Sequence, residues 1–500
     1  MDDRSVATAE ARSEAESSAF AEQVKGAVIW RSGSQIAGQL IAWTSTFLVL
    51  RLLDPGDYGL VAMTGVMLSF LALFNGWGFA NALVRDDRID AGRIRQTFGL
   101  LIAMNGTLAA IQLAAAPLAA HYFHQPMVAE LLRIQALFFL ANPFIALGNA
   151  LLSRRMDFRR QAQVNLVAAV LSALTALGCA LAGLGVWTLV AAPFVLWYAQ
   201  AIGCAVAARL WIRPSFSFRG TGRIVRYGGA MILVQLCWFV QSQVDIFIAG
   251  RRLDPATLGL YTTALFLTQI LVAKFVPPLN EVAFAAYARI QAERDRVKAA
   301  FLKTVRLIML IALPFYMGLA VTAEPLVRTV LGDKWAASAD LVPVLACAMP
   351  LLTLQILFAP ATNAIGRESL AVRVGLFGAL IMPLAFYWGL QWGIGGLAWG
   401  WLGGMALLLL ATVTVSLPAI GARPRELARA VAPGLAASLT MAVSVKALDL
   451  LLPGLGHAQR LAALVPFGAA LYAGLLFLFA RPVIEETLAL LRLRRAAESA

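Results

Sequence analysis

Residues 51–60, Arg-Leu-Leu-Asp-Pro-Gly-Asp-Tyr-Gly-Leu, decide the fold, because their pattern returns 200 residues later. Residues 251–260 read Arg-Arg-Leu-Asp-Pro-Ala-Thr-Leu-Gly-Leu, and six of the ten positions are identical. Each copy separates one long apolar segment from the next. The aspartate, Asp54 in the first copy, can cap the following helix, and the proline suits the first helical position. The repeat therefore predicts two halves built on one plan.

The apolar segments on both sides of these copies are long enough to span a membrane. Of the 500 residues, 60% are hydrophobic and 14% charged, whereas soluble domains hold about 45–50% apolar and about 25% charged residues. One crossing needs roughly 20 apolar residues. Fourteen blocks of that size are predicted: Val28–Leu50, Gly59–Ala82, Phe98–Ala119, Leu131–Leu152, Val164–Leu184, Val186–Ala208, Gly228–Ala249, Leu258–Leu279, Phe301–Val321, Leu341–Ile365, Leu370–Leu390, Ile394–Val415, Leu427–Leu448 and Leu461–Ala480.

A second, weaker sequence repeat indicates that the repeating unit contains six helices. Residues 185–189, Gly-Val-Trp-Thr-Leu, open the sixth block, and residues 393–397, Gly-Ile-Gly-Gly-Leu, open the twelfth. Since six is even, the two halves have the same orientation, related by an axis along the membrane normal, with a cavity expected between them. The predicted organisation is an N-lobe of helices 1–6 at 28–208, a linker at 209–227, a C-lobe of helices 7–12 at 228–415, and helices 13 and 14 within 427–480.

The charged residues predict the orientation in the membrane. Loops rich in arginine, such as Arg85–Arg95 and Arg154–Arg160, alternate with loops that carry two positive charges at most. Because positively charged loops stay in the cytoplasm, both termini are predicted there, with a polar, disordered tail at 1–27 and a second tail at 481–500. The net charge of +14 then reflects topology and contact with membrane lipids, and no nucleic-acid partner is expected.

The motifs of common enzyme classes are absent from the sequence. It contains no GxxxxGK[ST], HExxH or GxSxG pattern, so nucleotide hydrolysis, zinc proteolysis and serine hydrolysis of those types are not predicted. The four cysteines fall inside apolar blocks without a CxxC spacing and are interpreted as packing residues. We expect a transporter rather than an enzyme, with no metal or other cofactor.

Several stretches resemble a known family of bacterial polysaccharide exporters. They are residues 51–60, Leu-Leu-Ser-Arg-Arg-Met-Asp-Phe at 151–158, Gly-Val-Trp-Thr-Leu at 185–189, Ala-Glu-Pro-Leu-Val at 323–327 and Gly-Asp-Lys-Trp at 332–335. The chain resembles the Wzx-like, colanic-acid (WzxC) type branch of the MOP flippase superfamily over roughly residues 25–415.

That resemblance implies an all-α, V-shaped MOP-type fold in the bacterial inner membrane. It implies alternating access, with undecaprenyl-pyrophosphate-linked oligosaccharide as cargo for lipopolysaccharide or exopolysaccharide biosynthesis. The expected partners are this lipid-linked oligosaccharide, membrane lipids, and the polymerase and co-polymerase of the pathway. Cationic cavity residues and coupling to a proton or sodium gradient are further implications of the resemblance.

Charges inside apolar blocks are functional candidates, because an ionised group within the bilayer is costly. Arg31 and Lys274 are predicted at similar depth on the cytoplasmic side, one in each lobe, where they could receive the pyrophosphate of the substrate. Snorkelling of either side chain to lipid headgroups is the competing interpretation. Asp245 lies toward the opposite side of the membrane, too far from Lys274 to pair with it.

Asp245 is a candidate for ion coupling, or alternatively a cap near Arg251 and Arg252 at the end of its helix. Four asparagines in apolar blocks are candidates for a sugar path, although interhelical hydrogen bonds explain such residues equally well: Asn75, Asn81, Asn105 and Asn142. Three glycines at four-residue spacing, Gly396, Gly400 and Gly404, predict close helix packing.

The stretch Tyr287–Arg306 is basic and amphipathic, which predicts a helix lying on the cytoplasmic membrane surface.

Two other functions remain open on the sequence alone. A cation-coupled multidrug or small-molecule antiporter of the same superfamily would favour deep acidic residues, and this chain has one such acid and more bases. A membrane polysaccharide polymerase should carry a large external loop with catalytic residues, whereas the longest external loop, about Thr322–Asp340, is short.

Overall fold

The structure is a computed structural model that describes residue 33 and residues 37–76, 91–216 and 222–479. Throughout these ranges the chain is helical apart from short turns, and no strand occurs in them. It divides into two compact units, Met1–Ile232 (unit 1) and Leu233–Ala500 (unit 2).

Seven helices of unit 1 are described, and the last two are joined by a 3-10 turn at Gly185–Trp187. They are α1 (37–52), α2 (Pro55–Ala72), α3 (Ala91–Phe123), α4 (Pro126–Gln135), α5 (Leu137–Arg154), α6 (Phe158–Leu181) and α7 (Thr188–Ala208).

The next helix, α8, starts before the unit boundary, and nine further helices of unit 2 follow it in the described chain. They are α8 (Gly222–Arg252), α9 (Pro255–Arg289), α10 (Arg294–Val321), α11 (Ala323–Val330), α12 (Val342–Ile356), α13 (Phe358–Ala364), α14 (Glu368–Gly389), α15 (Gly393–Ile420), α16 (Pro424–Leu450) and α17 (His457–Phe479). Two 3-10 segments, Asp333–Asp340 and Leu390–Trp392, connect elements of this unit.

The helices confirm an all-α polytopic membrane protein. Ten stretches of the described chain are long and apolar enough to cross a bilayer, and the longest of them, 368–420, contains both α14 and α15. Each predicted block overlaps a described helix, with α4 and α5 sharing the fourth block and α12 and α13 the tenth; the first, second and fourteenth blocks extend beyond the described residues. Many apolar side chains on the outer faces, such as Leu118 at 71% and Val443 at 70%, are exposed, as a lipid-facing surface requires.

The repeated sequence forms the same helix start in both units. Asp54 and Asp254 are N-cap residues with extended backbone (φ −95° and −67°, ψ 153° and 156°), followed by proline at the first helical position. Oδ2 of Asp254 accepts a hydrogen bond from the backbone N–H of Thr257 at 2.9 Å. In the first copy Asp54 and Asp57 form a capping box, in which the backbone N–H of Asp54 also donates to Oδ2 of Asp57 at 3.2 Å. The predicted N-caps are therefore confirmed.

The second sequence repeat, at Gly185 and Gly393, also has a structural counterpart. Gly185 and Gly393 both adopt a positive φ, +52° and +72°, next to a 3-10 turn that leads into a long helix. Side chains other than glycine rarely adopt this conformation, which explains why glycine stands at this place in both halves.

Helices α14 and α15 approach so closely that only glycine fits at their crossing. A Cβ atom added to Gly396, Gly400 or Gly404 would lie within 3.0 Å of Gly389, Ala385 or Met382 on α14, respectively. The packing interpretation of this glycine series is therefore confirmed, as expected for helices whose backbones meet in a bilayer.

The additional helices α16 and α17 belong to unit 2. Helix α16 packs against α10 along much of its length, with Gly434 facing Leu310 and Leu313. Lys298 of α10 forms an ion pair with Glu426 of α16 at 2.7 Å.

The prediction of a surface helix at Tyr287–Arg306 is wrong. Helix α9 continues ten residues beyond the predicted end at Leu279 to reach Arg289, and α10 begins at Arg294. The polar stretch is thus formed by the ends of two long helices and the short turn between them. Because α9 has 35 residues, it is about 52 Å long and exceeds the hydrocarbon layer of about 30 Å.

Candidate functional site

Lys274 lies on an exposed part of α9, together with Phe275, which is 53% exposed. It is 15 residues from the Arg289 end of the helix, or about 22 Å. No hydrogen bond or ion pair joins its ammonium group to any residue that the structure describes. An ammonium group inside a membrane span requires water or an anionic partner, because its burial in hydrocarbon is costly.

Two prolines follow Lys274 within the same helix, Pro277 and Pro278. Since proline lacks an N–H, the carbonyl groups of Ala273 and Lys274, four residues earlier, lose their usual helical donors. The level of Lys274 therefore combines a positive side chain with two acceptor carbonyls, an arrangement that suits a polar, hydrated ligand. Arg31, its predicted counterpart, lies outside the described residues, and so do Asn81 and the predicted tails at 1–27 and 481–500.

Asn75 and Asn105 are brought together in unit 1, and Asn142 joins them. Nδ2 of Asn105 donates to the backbone carbonyl of Asn75 at 3.1 Å, and Nδ2 of Asn142 donates to the same carbonyl at 3.2 Å. Asn142 also donates to Oδ1 of Asn105 at 2.9 Å. Asn105 and Asn142 are 0% and 1% exposed, so this asparagine cluster links α3 and α5 through interhelical hydrogen bonds.

The asparagine cluster holds the chain where α2 ends. Helix α2 stops at Ala72, ten residues before the predicted end of its block at Ala82, and Gly76 adopts a φ of +81°. The carbonyl group of Asn75 has left the helix and takes its hydrogen bonds from two side chains instead. Buried backbone groups outside helices need such partners in a membrane protein.

Asp245 is the centre of a second polar cluster, in unit 2. The hydroxyl of Tyr261 donates to Oδ2 of Asp245 at 2.6 Å, and Nε1–H of Trp401 points to the same oxygen at 3.1 Å and to the Tyr261 hydroxyl at 2.8 Å. Asp245, Tyr261 and Trp401 are 0%, 0% and 2% exposed. We call these three residues the aspartate cluster; it joins α8, α9 and α15.

Asp245 is thus held by neighbouring helices, not by the end of its own helix. One turn earlier on α8, Nε2 of Gln241 donates to the carbonyl of Gly375 on α14 at 3.1 Å. Lys274 lies 13 residues after Tyr261 on α9, about 20 Å further along the helix. The expectation that Asp245 and Lys274 cannot pair is therefore confirmed.

Tyr261 and Trp401 were missed by sequence reasoning. They lie 16 and 156 residues from Asp245, so no local motif connects them.

Within the part of the chain that the structure describes, no group of three histidine, cysteine, aspartate or glutamate residues could hold a metal ion. A groove of about 680 Å³ along α14 and α15 is lined by Trp388, Trp392, Trp399 and glycine backbone; its lining carries no charged side chain.

The fold of the chain is found in solved membrane proteins. It is similar to the solved structure of the lipid II flippase MurJ in an inward closed conformation, with a TM-score of 0.75 at 11% identity, covering 91% of this chain and 100% of that one. It is less similar to an inward-facing multidrug resistance MATE family transporter of the MOP superfamily, with a TM-score of 0.59 at 16% identity, covering 79% and 98%. The chain thus has the fold of MOP-type membrane transporters.

The sequence then gives the family. The chain belongs to the Polysaccharide biosynthesis protein family, which matches residues 48–340. Among curated relatives, it is 27% identical to the succinoglycan biosynthesis transport protein ExoT of Rhizobium meliloti (strain 1021), over 64% of this chain and 65% of that protein. It is 22% identical to the lipopolysaccharide biosynthesis protein WzxC of Escherichia coli (strain K12), over 59% and 60%. The matches span less than two thirds of these relatives' lengths.

Proposed function

We propose that this protein is a flippase that moves lipid-linked oligosaccharide units across the bacterial inner membrane for surface polysaccharide biosynthesis. The family match at residues 48–340, which includes parts of both units, is the observation that carries the proposal. The relatives described above are named for succinoglycan transport and lipopolysaccharide biosynthesis. Undecaprenyl pyrophosphate is the proposed carrier lipid, and the transport cycle is alternating access.

Lys274 is the residue we propose to contact the anionic part of this substrate, with Arg31 as its counterpart. The exposed ammonium group without an acidic partner among the described residues supports this role, because pyrophosphate is a strong acceptor for charged donors. Asn75, at the end of α2, and Asn105, on α3, are proposed as substrate contacts only through their position, since the Asn75 carbonyl and the Asn105 side chain already hydrogen-bond within unit 1.

The proposed orientation places both termini in the cytoplasm, as the arginine-rich loops predict. The lobes are proposed at 28–208 and 228–415, joined by the linker at 209–227. Asp245 is the proposed coupling group, and the polymerase and co-polymerase of the pathway are the proposed protein partners. The chain itself is proposed to carry out transport and no chemical reaction.

A multidrug antiporter is a weaker candidate. Its support is similarity of fold at 16% identity, and one deep acid in unit 2, whereas the relatives reported above are named for polysaccharide pathways.

Deletion of the gene in its native host tests the flippase function. We expect lipid-linked oligosaccharide to accumulate in the cytoplasmic leaflet and surface polysaccharide to be lost. Normal surface polysaccharide after deletion would count decisively against the proposal.

Complementation of the deletion strain tests the role of Lys274. We expect Lys274→Gln to reduce export at least about tenfold, since a charge-assisted contact contributes about 1.5–3 kcal/mol. Lys274→Arg keeps the positive charge and should retain most activity, and Arg289→Gln, an exposed site on the same helix, is the matched control. Arg31→Gln is measured in the same strain. Wild-type export by Lys274→Gln and Arg31→Gln, at normal protein levels, would exclude both as substrate contacts.

A further inference from the structure

The residues that follow α7, 209–216, form an extended segment that is held against α3, and we call this segment the strap. The chain turns at Arg209, which adopts a φ of +54°. The backbone N–H of Ser215 donates to the carbonyl group of Arg95 on α3 at 2.8 Å, and a Cβ atom added to Gly99 would overlap the carbonyl group of Ser215. The strap therefore has a fixed path across the end of unit 1 at which α5 and α7 finish.

The strap buries one large apolar side chain and exposes two. Leu210 packs into the core cluster that contains Phe98, whereas Trp211 is 88% and Phe216 is 57% exposed. Met156, in the turn after α5, is a third exposed apolar side chain. Exposed aromatic side chains beside the ends of membrane helices are typical of the lipid headgroup level. They indicate that the strap lies at the membrane surface.

Four exposed arginine side chains share this end of unit 1: Arg95, Arg155, Arg209 and Arg213. Nε of Arg95 donates to the carbonyl group of Arg213 at 3.1 Å, and Nη1 of Arg155 donates to that of Ala208 at 3.3 Å. These partners are 118 and 53 residues apart in the sequence, so the fold brings the arginines onto one short stretch of main chain. We call the four residues the arginine face.

The arginine face has no acidic partner among the residues that the structure describes. Asp157, two residues after Arg155, is engaged by Arg160, whose backbone N–H donates to it at 3.1 Å and whose guanidinium group pairs with it at 3.3 Å. Four positive charges beside exposed aromatic side chains suit an anionic ligand that also has an apolar part. An anionic phospholipid supplies both, because basic pockets between membrane helices bind lipid headgroups, whereas a free phosphate ion offers nothing to Trp211.

We propose that the arginine face binds the phosphate headgroup of an anionic phospholipid, with Trp211 and Phe216 in contact with the same leaflet. Guanidinium groups bind phosphate oxygens through paired, charge-assisted hydrogen bonds. The hydrogen bonds of Arg95 and Arg155 to backbone carbonyls use one N–H of each and leave the others for the lipid. Since the strap is the first part of the predicted linker at 209–227, the bound lipid fastens the start of this linker to unit 1. With the proposed orientation the leaflet is the cytoplasmic one; the site goes beyond the flippase function and does not depend on it.

Native mass spectrometry of the purified full-length protein tests the site, with phosphatidylglycerol as the anionic probe and phosphatidylcholine as the zwitterionic one. We expect the wild type to bind one phosphatidylglycerol molecule about tenfold more tightly than phosphatidylcholine, because several arginines act on one headgroup. In the double variant Arg209→Gln/Arg213→Gln this preference should be lost. The two side chains make no hydrogen bond or ion pair with described residues, so the double variant should fold normally, which thermal unfolding checks.

The double variant Arg289→Gln/Arg294→Gln, at two exposed positions of unit 2, removes the same charge and is the matched control. It should keep the tightly bound phosphatidylglycerol. An equal loss in both double variants, or wild-type binding by Arg209→Gln/Arg213→Gln, would overturn the site. Competition with millimolar inorganic phosphate separates the two sources of phosphate: we expect no displacement of the lipid, and displacement would assign a free phosphate ligand instead.

Tryptophan fluorescence in lipid nanodiscs tests the contact of the strap with the membrane. The signal of Trp211 is the difference between the wild type and Trp211→Phe. We expect brominated phospholipid to quench this difference signal and aqueous acrylamide to quench it weakly. Strong quenching by acrylamide without quenching by the brominated lipid would place Trp211 in water, as for docking of a soluble acidic protein, and would contradict the proposal.

Both measurements are made without transport, so they separate the lipid site from the flippase function. If deletion of the gene leaves surface polysaccharide normal while phosphatidylglycerol binds as expected, the flippase proposal alone fails. If export depends on the protein but neither lipid preference nor lipid quenching is found, the flippase function stands and the lipid site is excluded.

Discussion

The hydroxyl of Tyr261 and Oδ2 of Asp245 are 2.6 Å apart, which places a short hydrogen bond between α8 and α9 in the interior of unit 2. Both residues are fully buried, so water cannot replace this bond when it is lost. This hydrogen bond therefore affects the stability of unit 2 as well as the proposed coupling role of Asp245.

Tyr261→Phe is expected to lower the free energy of unfolding by about 1–3 kcal/mol, because it leaves Oδ2 of Asp245 with one donor fewer. Thermal unfolding in detergent measures the change. Tyr387→Phe, at a half-exposed tyrosine in the same unit, is the matched control and should change stability by less than about 0.5 kcal/mol. Equal stability of Tyr261→Phe and Tyr387→Phe would show that the hydrogen bond contributes nothing.

The asparagine cluster should behave as one unit. Asn142→Leu and Asn105→Leu are each expected to destabilise unit 1 by about 1–3 kcal/mol, because each removes one donor from the Asn75 carbonyl and breaks the hydrogen bond between the two side chains. The double variant should cost less than the sum by about 0.5–3 kcal/mol, since the two side chains hydrogen-bond to each other. Thr107→Ala, an exposed position on α3 whose hydroxyl bonds only its own helix, is the control. Additive effects would contradict the network.

Two glycines on α15 should respond oppositely to alanine. Gly400→Ala is expected to be destabilising by about 1–3 kcal/mol, because the new methyl group would lie 2.9 Å from the carbonyl oxygen of Ala385. Gly403→Ala meets no atom within 4 Å and should be neutral or stabilising by up to about 1 kcal/mol, since alanine favours the helix. Unfolding curves of the two variants measure both changes in stability. Loss of stability in Gly403→Ala but not in Gly400→Ala would refute the packing geometry.

The cap at Asp254 should make the free energy of unfolding depend on pH. The hydroxyl and the backbone N–H of Thr257 hold the pKa of Asp254 below its ordinary value of 3.8. The pKa of Asp254 is therefore lower in the folded state than in the unfolded state. The cap stabilises the fold fully at pH values above the unfolded-state pKa, and this stabilisation is lost as the pH falls through the folded-state pKa. Asp254→Ala should cost about 1 kcal/mol at neutral pH and progressively less below about pH 4. Asp254→Asn keeps a side-chain acceptor and should retain part of the stability at all pH values. If the difference in free energy of unfolding between wild type and Asp254→Ala does not vary with pH, the ionised cap is excluded.

The fold was predictable because its signals are local. A span needs one uninterrupted apolar block, and a helix start such as Asp254-Pro255 is encoded within a few residues. The wrong prediction at Tyr287–Arg306 has a related cause. The turn between Arg289 and Arg294 contains neither glycine nor proline, so the amphipathic pattern continues across it and resembles one helix.

The polar clusters were only partly predictable. Asp245 stands out in the sequence because a charge in an apolar block is rare. Its partners do not stand out, since tyrosine and tryptophan are ordinary residues of membrane helices and Trp401 is 156 residues away. The early end of α2 at Ala72 was missed because the apolar block continues to Ala82, whereas the hydrogen bonds that hold the turn come from α3 and α5.

The two helix starts at Asp54 and Asp254 give the two halves the same backbone geometry at corresponding points of the chain. Both aspartates have an extended backbone, and both are followed by proline at the first helical position. The residue three positions after the aspartate differs: Asp57 accepts a hydrogen bond from the backbone N–H of Asp54, whereas the backbone N–H of Thr257 donates to Asp254. The direction of the main chain at each hairpin is therefore set by the aspartate–proline pair, and the side chain at the third helical position can vary without changing it.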